Sequence, residues 1–210
     1  MTPVMYSDST GNSPEWWHWV ASGAMVVGGV ALMFTPLGIL GGALVTAGVS
    51  SMVGGYLSEQ SGGSFTAGWV GGAVAGFVSG LGAGMASSLY YAATISAGGG
   101  TFYAMGSFAV AGTLGFLGNF GGSIITQSWD NKQIDFTQAF VSGTIGGILN
   151  VAFVPFSAGA NVLSKFGYQT LSVGYSILVE TISQVASYGI DQVINGSHNY
   201  RFNRLTRRFG

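Results

Sequence analysis

The sequence predicts an all-α protein, a membrane-type bundle of about six apolar helices folded as antiparallel hairpins. Three observations lead there. Charge is nearly absent: only 6% of the 210 residues are Asp, Glu, Lys or Arg, against about 25% in ordinary soluble domains. From Gln60 to Trp129, seventy consecutive residues carry no Asp, Glu, Lys, Arg or His, and between Glu15 and Glu59 only His18 interrupts the uncharged run. The apolar stretches approach the ~20 residues that a bilayer crossing needs and lack the period-2 alternation of strands. Finally, 37 glycines, with many alanines and serines, dilute these stretches. Small residues of this kind let helix backbones approach closely in lipid. The competing reading is a soluble bundle rich in small residues, held inside a carrier.

Turn signals divide the chain into six segments. The first helix is expected from Glu15 to Phe34, opened by Ser13-Pro14 and closed by Thr35-Pro36-Leu37-Gly38. The second runs from Ile39 to Ser58 and ends in the polar turn Glu59 to Ser64. The third spans Phe65 to Thr94, before Ser96-Ala97-Gly98-Gly99-Gly100. The fourth covers Phe102 to Gln127 and leads into the polar loop Ser128 to Ile134. The fifth runs from Asp135 to Phe153, with Pro155 expected to break it. The sixth is expected from Leu163 to Asn195, followed by a basic, aromatic tail over residues 196–210. Residues 1–14 stand apart from this helical domain, 15–195, as a polar leader. With Asp8 and Glu15 ahead of the first apolar run and no basic segment, they do not read as a secretory signal.

A diverged internal duplication runs through the middle. Residues 64–76, Ser-Phe-Thr-Ala-Gly-Trp-Val-Gly-Gly-Ala-Val-Ala-Gly, align without gaps on residues 135–147, Asp-Phe-Thr-Gln-Ala-Phe-Val-Ser-Gly-Thr-Ile-Gly-Gly. Upstream, Thr46, Gly48, Gly54, Gly55 and Gln60 fall on Thr113, Gly115, Gly121, Gly122 and Gln127. Helices two and three would then form one hairpin, and helices four and five its counterpart.

Gly68, Gly72, Gly76, Gly80 and Gly84 recur every four residues, which draws a nearly continuous groove down the third helix. Gly118 with Gly122, and Gly143 with Gly147, repeat the spacing in the fourth and fifth. Each helical glycine costs about 1 kcal/mol relative to alanine, so the pattern points to helices seated in these grooves. The sixth helix has two faces. Leu171, Tyr175, Leu178, Ile182, Val185 and Gly189 line one; Ser172, Ser176, Glu180, Ser183, Ser187 and Asp191 line the other. The polar face suits either a solvated surface or the lining of a water-filled path.

Enzymatic chemistry finds no support in the residue types. There is no cysteine, hence no disulfide, thiol nucleophile or thiolate metal site. His18 and His198 stand at opposite ends, outside any metal-ligand spacing. Glu180 and Asp191 share a face but lie ~16 Å apart along the helix axis, too far to act as an acid–base pair. No cofactor is expected, and a net charge of −1 gives no reason to expect nucleic-acid binding. Trp16, Trp17 and Trp19 with His18 read as an interfacial aromatic belt or, alternatively, a packed cluster. Arg201, Arg204, Arg207 and Arg208 in the tail are placed to meet anionic lipid headgroups.

The N-terminal stretch Thr2-Pro-Val-Met-Tyr-Ser-Asp-Ser-Thr-Gly11 resembles the close of the Rhs-repeat-associated core of polymorphic toxins, Asn-Pro-Val-x-Tyr-x-Asp-Pro-x-Gly. Pro3, Val4, Tyr6, Asp8 and Gly11 are kept, while Thr2 and Ser9 depart from it. The Gly/Ala-rich region from Trp16 to about Ala160 is similar to hydrophobic segments that follow this junction in Rhs proteins. The resemblance implies a toxin region used in interbacterial competition, secreted inside an Rhs core shell as carrier and answered by an immunity protein. The expectation is a non-enzymatic toxin domain that inserts helical hairpins into the bilayer of a target bacterium and permeabilises it, alone or as a homo-oligomer. The alternative is a non-toxic pretoxin or translocation module carried as hydrophobic cargo.

Overall fold

The computed structural model describes residues 13–96, 98–130, 133–159, 173–190 and 192–193. Among these there is no strand. The chain folds into α1 (Trp16–Met33), α2 (Gly38–Gln60), α3 (Phe65–Ile95), α4 (Gly100–Trp129) and α5 (Phe136–Gly159), followed by α6 over residues 173–190. The first five are long and apolar enough to cross a membrane. At 1.5 Å per residue, α3 and α4 extend ~45 Å, close to a whole bilayer with its headgroups.

Most expected boundaries shift by one or two residues, and two of the start and stop signals are overridden. The cap of α1 is Glu15 rather than Ser13, because its N–H finds an acceptor in His18 Nδ1 at 3.0 Å and the chain needs no earlier cap. Pro155 does not break α5, which continues through it to Gly159. Proline removes one backbone bond and crowds the preceding turn, yet apolar helices tolerate this where neighbouring groups re-satisfy the freed carbonyl.

Glycines set the spacing between helices. The stripe on α3 lies along α2 in antiparallel register. A Cβ at Gly76 would stand 2.6 Å from Ser50 Oγ and 2.8 Å from the Thr46 carbonyl; at Gly80, 2.9 Å from Ala43 Cα; at Gly84, 2.9 Å from Ile39. Gly68 and Gly72 are tighter still, against the Gly54 and Ser50 carbonyls. The opposite side of α3 meets α4, where a Cβ at Gly118 would lie 2.8 Å from both the Ala75 carbonyl and Ser79 Oγ, and one at Gly122 would lie 2.5 Å from the Gly71 carbonyl. On α5, a Cβ at Gly143 would stand 2.9 Å from the Phe116 ring, and one at Gly147 2.9 Å from the Gly112 carbonyl. Side chains at these points would separate the helices, so glycine here gives up helix propensity for backbone contact.

The repeated segments keep equivalent roles. Gly72 and Gly76 sit on the turn of α2 around Thr46 to Ser51; their counterparts Gly143 and Gly147 sit on the turn of α4 from Gly112 to Phe116, which the alignment pairs to within about a residue. The caps correspond as well. Ser64 Oγ accepts the Ala67 N–H (3.3 Å) at the start of α3; Asp135 Oδ1 accepts those of Thr137 (2.8 Å) and Gln138 (3.1 Å) at the start of α5.

One end of the bundle gathers the polar turns. Gly62, at φ +76°, reverses the chain after α2, and the Asp130 carboxylate accepts the Ser64 N–H at 3.0 and 3.2 Å, tying that turn to the end of α4. His18 Nε2 meets Thr66 Oγ1 at 3.2 Å and brings the start of α1 alongside. The opposite end carries the uncharged turns at 35–37 and at 98–99.

Candidate functional site

Soluble proteins bury apolar side chains and expose polar ones; this bundle reverses the order. Among the described residues, sixteen polar side chains are buried against eleven hydrophobic ones, and most of the latter are alanines. Twenty-six large hydrophobic residues are exposed. The inversion is clearest on α6. Ser176, Glu180 and Ser183 are buried and Ser187 is half-buried, whereas Leu178, Ile182 and Val185 are 41–50% exposed. The solvated-face alternative for this helix is thereby corrected: packing against α3, α4 and α5 draws the polar face inward. Ser172 and Asp191, expected on the same face, lie outside the described residues, as do Arg201, Arg204, Arg207 and Arg208 and the Rhs-like stretch 2–11.

The inward face meets a carboxamide that the sequence reading passed over. Asn119, buried on α4, donates through Nδ2 to Glu180 Oε2 (3.3 Å) and Ser79 Oγ (3.3 Å) and accepts from Ser183 Oγ through Oδ1 (2.9 Å). Gln184 Nε2 donates to Glu180 Oε1 at 3.2 Å. Side chains from α3, α4 and α6 thus close a polar knot halfway along the bundle. Glu180 is fully enclosed in it. Asn119 is the lone asparagine in the seventy uncharged residues, and that isolation was the available signal.

Cavities flank the knot on both sides. Towards the charged end lies one of about 300 Å³, lined by Gln184, Ser187, Ser142, Thr126 and Gln127 over a glycine floor at Gly68, Gly71, Gly72 and Gly122. It reaches from Asn119 out to Ser61 and Asp130 in the turns. Towards the uncharged end lies one of about 240 Å³ between α2, α3 and α6, lined by Ser176, Ser87, Ser88, Gly80 and Gly84 and reaching Pro36. Ser176 and Gln184 are two turns apart on α6, ~12 Å along the axis, with Glu180 midway. Glycines that seat the helices thus also line both cavities.

Gln127 serves as a latch beside the larger cavity. Its Oε1 accepts the Asp135 N–H, and its Nε2 donates to Ser123 Oγ and Gln138 Oε1, each at 3.1 Å. No group of three or more His, Asp or Glu side chains able to hold a metal assembles among the described residues.

The tryptophan cluster divides between its two readings. Trp17 stacks on His18 at 3.7 Å, and Trp69 meets both rings edge-on while its Nε1 donates to Ser22 Oγ at 2.9 Å. Trp16 and Trp19 are instead largely exposed. With Tyr56 and Trp129 they ring the charged end; Tyr91 and Tyr103 are exposed towards the other. Trp129 and Tyr103 are separated by ~39 Å of α4, near the ~40–45 Å between the two faces of a bilayer.

Set against family models, curated proteins and solved structures, the chain matches none.

Proposed function

We propose that this chain is a toxin domain that inserts its helices as hairpins into the membrane of a target bacterium and permeabilises it. The observation that carries the reading is the inverted polarity of α6, with Glu180, Ser183 and Ser176 inside and Leu178, Ile182 and Val185 outside. In water this arrangement is unfavourable on both counts. Each half-exposed aliphatic side chain forgoes about 1 kcal/mol of burial, and each enclosed polar group gives up hydration that its hydrogen bonds only roughly replace. Hydrocarbon around the bundle removes the first cost. The second then becomes an asset, because intramembrane polar residues facing a bundle interior mark paths for water and ions.

Supporting observations point the same way. Exposed Trp and Tyr side chains stand at both ends of an apolar belt, as membrane-interface anchors do. Glu15, Glu59, Asp130 and Asp135 all stand at or beside the turns of one end. A charge at the bilayer centre costs at least ~2.5 kcal/mol, so the uncharged turns at Pro36 and Gly98 are the ones that cross. The Rhs-like junction supplies the context: delivery in a carrier shell, and an immunity protein in the producing cell. The arginines of the tail then remain at anionic headgroups on the entry side.

The test is to induce the full chain in bacteria in cytoplasmic and exported forms, following growth together with a voltage-sensitive dye. Depolarisation preceding growth arrest in at least one form is the expected result. If neither form depolarises cells, the permeabilising reading fails and the non-toxic translocation module takes its place.

A further inference from the structure

Building on the permeabilising reading, we infer that the path through the bundle is selective for monovalent cations, with Glu180 and Gln184 as the site they pass. Three features of the geometry lead there. Glu180 is the one acidic side chain among the described residues that lies away from the charged end, and it sits between the two cavities rather than inside either. The described residues contain no Lys or Arg, so within this part of the chain no fixed cation offsets it. Next to it, Gln184 Oε1 is buried with no hydrogen-bond donor, on a side chain that lines the larger cavity.

A buried acceptor without a donor costs about 1–3 kcal/mol, and such an atom beside a carboxylate is a half-built oxygen cage. The donors nearby are already committed: Asn119 Nδ2 and Gln184 Nε2 both hold the carboxylate. Carboxylate and carbonyl oxygens suit hard cations, and rings of such groups select cations in pores. An anion would meet a carboxylate and a carbonyl oxygen, both of which repel it. A divalent ion normally collects several carboxylates or keeps much of its water, and one carboxylate in a narrow knot offers neither. The occupant that fits is a proton, or a singly charged metal ion stripped of part of its hydration shell.

The experiment uses the purified full chain in planar bilayers under a tenfold KCl gradient, with wild type, Glu180→Gln and Glu180→Asp compared. Wild type should reverse near the potassium equilibrium potential, or near that of protons when a pH gradient is imposed instead, which separates the two cations. Glu180→Gln keeps the size of the side chain but loses its charge and one of the two acceptor oxygens that meet Asn119 and Gln184; it should lower the cation-to-anion permeability ratio at least tenfold. Glu180→Asp should retain selectivity. Wild-type current that is non-selective or anion-selective overturns this inference whatever the variants do, while leaving permeabilisation intact. So does selective current unchanged in Glu180→Gln. A wild-type protein that carries no current refutes the permeabilising reading itself.

Discussion

Replacing Gly72 and Gly76 together by isoleucine tests the close seating of α3 on α2. A Cβ at Gly76 would stand 2.6 Å from Ser50 Oγ and 2.8 Å from the Thr46 carbonyl, and one at Gly72 would run into the Ser50 carbonyl, with Ser51 Cα 3.2 Å away. Much of that obstruction is backbone, so rotamer changes in α2 cannot clear it. Overpacking of this kind costs about 1–3 kcal/mol per site. Two branched side chains without room should reach the upper figure, ~6 kcal/mol, and the gain in helix propensity over glycine returns only ~0.5 kcal/mol each. The net loss, ~5 kcal/mol, rivals the entire stability of a small domain. Gly28→Ile supplies the contrast, since nothing lies within 4 Å of a Cβ there and the change should stay within ~0.5 kcal/mol. Unfolding in mixed micelles of increasing SDS fraction, followed by tryptophan fluorescence, reads both, because Trp69 is seated on the same helix. If the double variant unfolds at the wild-type SDS fraction, or Gly28→Ile is equally damaging, the glycine stripe is not what holds α2 on α3.

Topology can be read with single cysteines, as the chain has none of its own. In bilayer-inserted protein, cysteines at Ser61 and Ser128 should react with an impermeant thiol reagent from the entry side and one at Gly98 from the far side only; labelling of all three from one side would end the hairpin model. Asp130→Ala removes the acceptor of the Ser64 N–H and should cost about 1–3 kcal/mol in the same SDS titration, with Asp130→Asn recovering part of it. A loss below ~0.5 kcal/mol would mean that the two hairpin turns are joined by other contacts.

The fold was legible because its signals are local. Apolar runs of bilayer length, punctuated by Thr35-Pro36-Leu37-Gly38 and by the polar turns after Ser58 and Gln127, leave little choice but helices in hairpins. The glycine spacing was legible for a similar reason, since a four-residue period lies along one side of a helix whatever packs there. The errors came where a local signal competes with a neighbour. Ser13-Pro14 is a sound start signal, but His18 offers the Glu15 N–H a partner and moves the start inward. Pro155 is a sound stop signal, but one missing backbone bond is outweighed by those on either side of it.

The orientation of α6 was not legible at all, and the reason is physical. An amphipathic pattern says that two faces differ; it does not say which faces inward. In water the apolar face turns in, and in hydrocarbon the polar face does so, provided that it finds partners. The answer therefore depends on residues distant in sequence. Asn119 presents Nδ2 to Glu180 and Oδ1 to Ser183, with Ser79 as a further acceptor. Each of these looks unremarkable in its own segment, a single polar residue within a glycine-rich run. Joined across α3, α4 and α6, they convert a carboxylate too costly to face lipid into one held at the centre of the bundle. The same bonds leave Leu178, Ile182 and Val185 outward, so enclosure of the polar side chains and exposure of the apolar ones arise from one rotation of one helix.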